Sequence, residues 1–217
     1  MTVAFDPLRL KRDKPLEPSA TAILIVDMQQ GELTEKQQVE HPEYWQVMHG
    51  RTLPAAKRLI DEGRARGCEI IYTVIEALTK DGRDRSLDHK LSGILFPRGS
   101  QEASMIPMLA PADDDIVLPK TSSGAFNSTN IDYVLRNLGV ENVIVAGILT
   151  DQCVDMAVRD GADRGFYMIC AADACATNTT APRDGAQRLR RLLPRADGGR
   201  DIQVICVSSV PLTAADA

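Results

Sequence analysis

This chain lacks a net positive charge. Its 217 residues carry 25 Lys and Arg against 30 Asp and Glu, a formal charge of −5 at pH 7. A nucleic acid or an anionic membrane surface calls for a basic face, so neither is expected as a partner. The short basic clusters Arg64–Arg66, Arg83–Arg85 and Arg188–Arg191 are broken by acidic or apolar residues and read as solvated surface. Long apolar runs are missing as well. No stretch approaches the ~18 apolar residues of a membrane span, and Met1–Pro18 has no apolar core of the ~7–15 residues that a secretion signal needs. The five cysteines, Cys68, Cys153, Cys170, Cys175 and Cys206, are odd in number and form no C-x-x-C pair. That pattern suits free thiols in a reducing compartment rather than a disulfide frame, so a cytoplasmic location is expected. Zinc-type ligand spacing, a G-x-G-x-x-G turn and a phosphate-loop lysine motif are all absent, so no metal and no nucleotide cofactor is implied.

What is present is ordinary globular composition, 44% hydrophobic and 25% charged. One domain over 1–217 is expected, with its core at about 20–207 and peripheral arms at both ends. Short apolar runs alternate with segments of helical period. Ala22–Val26, Glu69–Ile75, Ile116–Leu118, Asn142–Ala146, Phe166–Ala171 and Ile202–Val207 read as six strands. Leu53–Arg66, Asn127–Leu138, Gln152–Asp163 and Thr180–Leu193 read as helices, with Gly139 closing the second as a C-terminal cap. Strands that are nearly continuous in Val, Ile and Leu are covered on both faces. The expected fold is therefore α/β, a three-layer α/β/α arrangement with a Rossmann-like, mostly parallel six-stranded sheet. Residues 76–115 interrupt the rhythm as a long excursion, expected to be a lid or a subunit contact.

In a parallel α/β sheet, ligands bind at the carboxyl ends of the strands, so the residues that follow each strand sketch the site. The first strand ends in Asp27, the third in Pro119-Lys120, and the fourth in Gly147 followed by Ile148-Leu149-Thr150-Asp151-Gln152-Cys153. Singly, these residues could be a helix cap, a surface lysine and a buried small hydrophobe. Their placement at three strand ends points instead to a cysteine nucleophile. Cys153 falls in the first turn of its helix, where unpaired N–H groups and the helix dipole favour a thiolate, and a nearby Lys120 would lower its pKa further. The three histidines, His41, His49 and His89, lie far upstream and follow no strand, which disfavours a Cys–His pair. The scheme is Asp27 as proton acceptor, Lys120 as electrostatic positioner and Cys153 as attacker.

Three motifs carry a resemblance. Ile23-Leu24-Ile25-Val26-Asp27-Met28-Gln29, then Lys120 ahead of Ser122-Ser123-Gly124-Ala125-Phe126, then Val145-Ala146-Gly147-Ile148-Leu149-Thr150-Asp151-Gln152-Cys153-Val154, resemble the isochorismatase-like cysteine hydrolases. That superfamily includes N-carbamoylsarcosine amidase, nicotinamidase and ureidoacrylate amidohydrolase. The resemblance implies an Asp–Lys–Cys triad on Asp27, Lys120 and Cys153, and a cis peptide joining Ile148 to Leu149. It also implies an oxyanion hole from the N–H groups of Leu149 and Cys153. It further implies a homo-oligomer, a tetramer before a dimer. Within the motifs, Gln29, Phe126 and Asn127 are the candidates for substrate contact, with a helix N-cap as the alternative role for Asn127. Two departures narrow the chemistry. Ile75-Glu76-Ala77-Leu78 stands where nicotinamidases carry an Asp-x-His metal motif, and Cys153 is not needed for the vinyl ether cleavage of true isochorismatases. Hydrolysis of a small amide or ureide through an acyl-cysteine is expected. Vinyl ether cleavage, a nicotinamidase-like activity, a non-catalytic binding role and a redox thiol with Cys170 or Cys175 as resolving partner are the alternatives. Arg83, Arg85, Lys90 and Arg98 of the excursion are candidates for a carboxylate clamp, with solvated surface as the alternative.

Overall fold

The computed structural model describes residues 15–178, and the backbone alone of 202–205. In chain order come β1 (Thr21–Val26), α1 (Glu35–Glu40), α2 (Pro42–Val47), α3 (Leu53–Ala65), β2 (Glu69–Ile75), α4 (Leu87–Leu91), β3 (Ile116–Lys120), α5 (Ala125–Ser128), α6 (Ile131–Asn137), β4 (Asn142–Ile148), α7 (Asp155–Asp163), β5 (Tyr167–Ala176) and β6 (Ile202–Ile205). The expected helix Thr180–Leu193 and the end of the expected sixth strand lie outside the described residues.

The six strands form one sheet in the order β3-β2-β1-β4-β5-β6, and every ladder is parallel. The physical driver is visible along β1. All its residues are buried, with Ile23 and Ile25 entering one apolar cluster and Ala22, Leu24 and Val26 entering another. The strand's period of two thus feeds two cores at once. On one face, α3 supplies Leu53, Ala56, Leu59 and Ile60. On the other, α6 and α7 supply Ile131, Leu135, Ala157 and Val158. Each fully buried aliphatic side chain contributes ~1.5–3 kcal/mol, and the three-layer arrangement is the one that buries both faces of such strands.

Several expected boundaries move. The expected helix Asn127–Leu138 is two helices, because Thr129 leaves helical geometry at φ −133°. Its hydroxyl donates to the Ala125 carbonyl at 2.8 Å and accepts from the Ile131 N–H at 3.1 Å, diverting backbone groups that would continue the helix. Gly139 does follow α6 with φ +71°. Strand β3 extends through Pro119 to Lys120, which its edge position permits. Strand β5 runs on to Ala176 because the ladder to β4 slips between Val145 and Gly147. Cys170 and Cys175 therefore lie within β5 rather than beyond it.

The 76–115 excursion divides. Met105, Ile106 and Leu109 return to the core beside α3, whereas Leu87, Leu91 and Met108 are exposed. Its start is tied to the sheet edge by Glu76 N–H to the Lys120 carbonyl and by Ser86 N–H to the Thr121 carbonyl.

Candidate active site

The strand order reverses direction between β1 and β4, the crevice where open α/β sheets bind ligands. Gly147 makes that point possible. It sits opposite Val26 at φ +143°, and a Cβ there would come within 2.2 Å of the Val26 carbonyl oxygen. Only glycine lets the two backbones approach so closely.

Asp27 leaves β1 in the left-handed region, φ +54°, a conformation that side-chain-bearing residues adopt at a cost of ~1–3 kcal/mol. It is held there by its surroundings. Its N–H donates to the Thr73 carbonyl at 3.0 Å, and Oδ1 accepts from Thr73 Oγ1 at 2.9 Å. Oδ2 stands 2.9 Å from Lys120 Nζ. Lys120 is fully buried. Its ammonium also donates to the carbonyls of Ser122 at 2.7 Å and Ser123 at 3.3 Å, and reaches Cys153 Sγ at 3.5 Å. Burial alone would pull the Lys120 pKa down. The Asp27 carboxylate and the Cys153 sulfur outweigh it and hold the value above that of an ordinary lysine. Asp27, Lys120 and Cys153 thus form one buried, mutually contacting cluster.

The thiol is the correction. Cys153 lies in a single π turn, Thr150–Val154, ahead of α7. Burial first, and then the negative charge of Asp27, push its pKa up to about 12, against the pull of Lys120. Lys120 acts in the expected direction, but the expected low-pKa thiolate is not the resting species. The resting cluster is a neutral thiol beside a carboxylate–ammonium pair. The peptide between Ile148 and Leu149 is cis, as the resemblance implies. Leu149 N–H donates to no backbone acceptor among the described residues.

The three residues expected to contact substrate do other work. Gln29 is fully buried. Its Nε2 donates to the carbonyls of Ile75 at 3.1 Å and Glu102 at 3.2 Å, and its Oε1 accepts from Ile75 N–H at 2.7 Å. It is a clamp between the ends of β1 and β2. Phe126 is buried in the core beneath α7, its ring 6.0 Å from that of Phe166. Asn127 is exposed and donates to Asp160 Oδ2 at 3.0 Å. It lies inside α5, and α6 is preceded by Asn130 with no side-chain cap. The carboxylate clamp does not assemble either. Arg83 pairs with Asp81 on the surface, Arg85 bonds the carbonyls of Gly82 and Ile94, and Lys90 and Arg98 are exposed.

Three residues near the cluster escaped the sequence reading. Thr73, which orients Asp27, is the lone hydroxyl in the apolar run of β2, a signal that was available. His89 of α4 is fully buried, its Nε2 3.3 Å from Ser123 Oγ and its Nδ1 without a partner. Burial first and then Lys120 lower its pKa, so it stays a neutral imidazole. Nothing in the spacing of the 76–115 segment marks it. Glu32 follows Asp27 by one turn. Burial and then Asp27 push its pKa up to about 7, with Lys120 opposing.

Among the described residues no group of three or more His, Cys, Asp or Glu is placed to hold a metal ion. Cys170 Sγ and Cys175 Sγ stand 3.8 Å apart as free thiols. No described helix is long and apolar enough to cross a membrane.

A family profile described as an isochorismatase domain matches residues 21–194. The chain is 30% identical over 178 residues to a ureidoacrylate amidohydrolase of Rhizobium rhizogenes, covering 73% of this chain and 71% of that protein. It is also 30% identical to one of Agrobacterium fabrum, covering 73% and 77%. Among solved structures, a cysteine hydrolase from Pseudomonas syringae pv. phaseolicola superposes with a TM-score of 0.75 at 23% identity, over 91% of this chain and 93% of that one. N-carbamoylsarcosine amidase from Thermoplasma acidophilum superposes with a TM-score of 0.67 at 21% identity, over 88% and 98%.

Proposed function

The chain belongs to the isochorismatase family, and from that premise we propose that it hydrolyses the C–N bond of a small amide or ureide through an acyl-cysteine intermediate. The observation that carries the reading is the contact of Lys120 Nζ with both Asp27 Oδ2, at 2.9 Å, and Cys153 Sγ, at 3.5 Å, at strand ends beside the switch point. The names of the amidohydrolase relatives support the bond type.

In this scheme the thiol attacks as it loses its proton. Cys153 Sγ bonds to the substrate carbonyl carbon while Asp27 takes the proton, and the carbonyl electrons move onto oxygen. Leu149 N–H and Cys153 N–H receive that oxyanion. Preorganised donors of this kind are worth ~2.7–4 kcal/mol each in the transition state. Collapse breaks the C–N bond, Asp27 hands its proton to the leaving nitrogen, and a thioester remains. Water, deprotonated by Asp27, then opens the thioester, and the proton returns to sulfur. Lys120 stays charged throughout. It favours the anionic sulfur and keeps Asp27 ionised and oriented, which a thiol of pKa about 12 requires. The partner is a small molecule, and the compartment we assign is the cytoplasm, where the described cysteines, all free, stay reduced.

The test is a panel of small amides and ureides assayed for ammonia or amine release, with intact-mass analysis after mixing. Turnover by the wild type with a transient adduct on Cys153, and none in Cys153→Ala or Cys153→Ser, is expected. Retained turnover in Cys153→Ala overturns the mechanism.

A further inference from the structure

Glu32 is a carboxylate that the proposed chemistry does not use. It ends the one-turn 3-10 helix Gln30–Glu32 that leaves β1 just after Asp27. That turn is rigidly held. Gln30 N–H donates to the Ser104 carbonyl at 2.8 Å, Gly31 N–H to the Glu102 carbonyl at 2.9 Å, and Glu32 N–H to the Gln29 carbonyl at 3.1 Å. Gly31 lies so close under Phe96 that a Cβ would meet its ring at 2.2 Å.

From this turn the Glu32 side chain, partly buried, reaches the electrostatic field of the cluster. Asp27 repels its charge and Lys120 attracts it. Its other charged or titratable neighbour is Tyr44 of α2, whose own ionisation Glu32 opposes. The Tyr44 hydroxyl is buried without a hydrogen-bond partner. Among the described residues no side chain donates to the Glu32 carboxylate. Lys120, the cation acting on it, is already committed to Asp27, Ser122 and Ser123. A half-buried acid with no donor, beside a buried hydroxyl with no partner, is an expensive arrangement unless something else completes it. With Cys153 neutral, Asp27 and Glu32 negative and Lys120 positive, the cluster carries one surplus negative charge.

We infer that Glu32 is a specificity-determining residue, receiving an N–H-rich or cationic end of the substrate (a terminal ureido NH2, an ammonium or an amidinium) and repelling a substrate carboxylate. This names the substrate class for the site proposed above and rests on that location for the nucleophile. It excludes the anionic ureides that the clamp candidates of the 76–115 segment would have served.

Charged thiol reagents test it without any turnover. Modification of Cys153 by the trimethylammonium-ethyl and the sulfonato-ethyl methanethiosulfonates, of similar reach and opposite permanent charge, is followed by mass mapping. At pH 8 the cationic reagent is expected to react at least ~10-fold faster, within the ~10–10³ range of electrostatic focusing in clefts. Glu32→Gln is expected to reduce the ratio several-fold, and Glu32→Asp to preserve its direction. In the wild type the ratio should also fall between pH 8 and pH 6, as Glu32 takes up a proton. The thiolate fraction is common to both reagents and cancels, and Glu32→Gln keeps Asp27, Lys120, His89 and Tyr44. A pH-dependent part missing from the variant therefore belongs to Glu32. The wild-type pH series stands even if Glu32→Gln does not fold. Equal rates in the wild type, or a ratio that Glu32→Gln leaves unmoved, overturn the inference. Failure to hydrolyse any amide would overturn the proposed reaction and leave this ratio readable. Where turnover is found, kcat/KM for ureides with ammonium against carboxylate tails should shift in the same direction.

Discussion

Lys120 Nζ stands 2.9 Å from Asp27 Oδ2, both side chains within 2% of complete burial. A buried ion pair is weak evidence for stability, because desolvation offsets most of the Coulomb attraction, but removing one partner costs ~3–5 kcal/mol. Here the pair also straddles the strands that bring Cys153 to the same point. Its main consequence is chemical, since Asp27 and Lys120 act on the thiol with opposite signs.

That opposition gives a prediction that a purely structural pair would not. Asp27→Asn should cut turnover by at least ~10²-fold, the range general-base catalysis supplies. It should also make the Cys153 thiol more acidic, because a negative neighbour is gone. Lys120→Met should move the thiol further up from about 12. The rate of iodoacetamide alkylation as a function of pH reads both, alongside circular dichroism to verify folding. Alkylation at pH 8 should be faster in Asp27→Asn and slower in Lys120→Met than in the wild type. Unchanged profiles would remove both residues from the neighbourhood of the sulfur.

The contrast between turnover and thiol acidity also shows how far the sequence could be read. Parallel strands buried on both faces are near-continuous apolar runs, so β2 was legible to the residue and β1 and β4 nearly so. Strand ends then located Asp27, Lys120 and Cys153, because topology alone brings the carboxyl ends together. The balance of charges was not legible. Whether the π turn at Cys153 wins over burial depends on depth and on Asp27, and neither follows from spacing. Gln29 and Phe126 were placed in the right motifs but given the wrong role, since a motif does not reveal whether a side chain faces the crevice or the strand beside it. His89 comes from a segment without period, carried to Lys120 by the fold.

A metal requirement is the next point to check. Glu76, Ala77 and Leu78 follow β2, and the Glu76 carboxylate accepts from Gly99 N–H at 2.8 Å, serving the loop. Exhaustive dialysis against a strong chelator is therefore expected to leave turnover within about twofold of the untreated enzyme. A loss that zinc or manganese restores would show that ligands come together in a way the described residues do not display.

Glu32 should trade stability for its position. Its carboxyl has a pKa of about 7 in the folded chain against 4.5 in the ordinary state. The folded protein thus holds that proton more tightly than the unfolded one. The stability it contributes is fully present below pH 4.5 and is lost as pH rises through 7. Glu32→Gln has no such loss. Its melting temperature should exceed that of the wild type at pH 8, with the gap closing towards pH 4.5, as thermal melts at several pH values would record. A gap that does not vary with pH would mean that the carboxylate is solvated rather than pressed against Asp27.

Assembly is the last expectation. On α4, Leu87 is 71% exposed and Leu91 79% exposed, one helical turn apart, and Leu95 and Leu78 are exposed as well. A cluster of leucines of this kind on an acidic chain is the sort of patch that marks an interface. It lies on the same short helix that turns His89 inward towards Ser123. A second copy covering Leu87 and Leu91 would therefore also fix the wall behind Lys120. We expect a homo-oligomer in solution, a tetramer before a dimer, with this face at one of its interfaces. Light scattering at micromolar concentration should give a mass at a multiple of 23.7 kDa. The double variant Leu87→Glu, Leu91→Glu should lower that mass and reduce turnover together. A monomer for the wild type would mean that α4 faces solvent and that the site is complete in one chain. An oligomer indifferent to the double variant would move the interface to another surface.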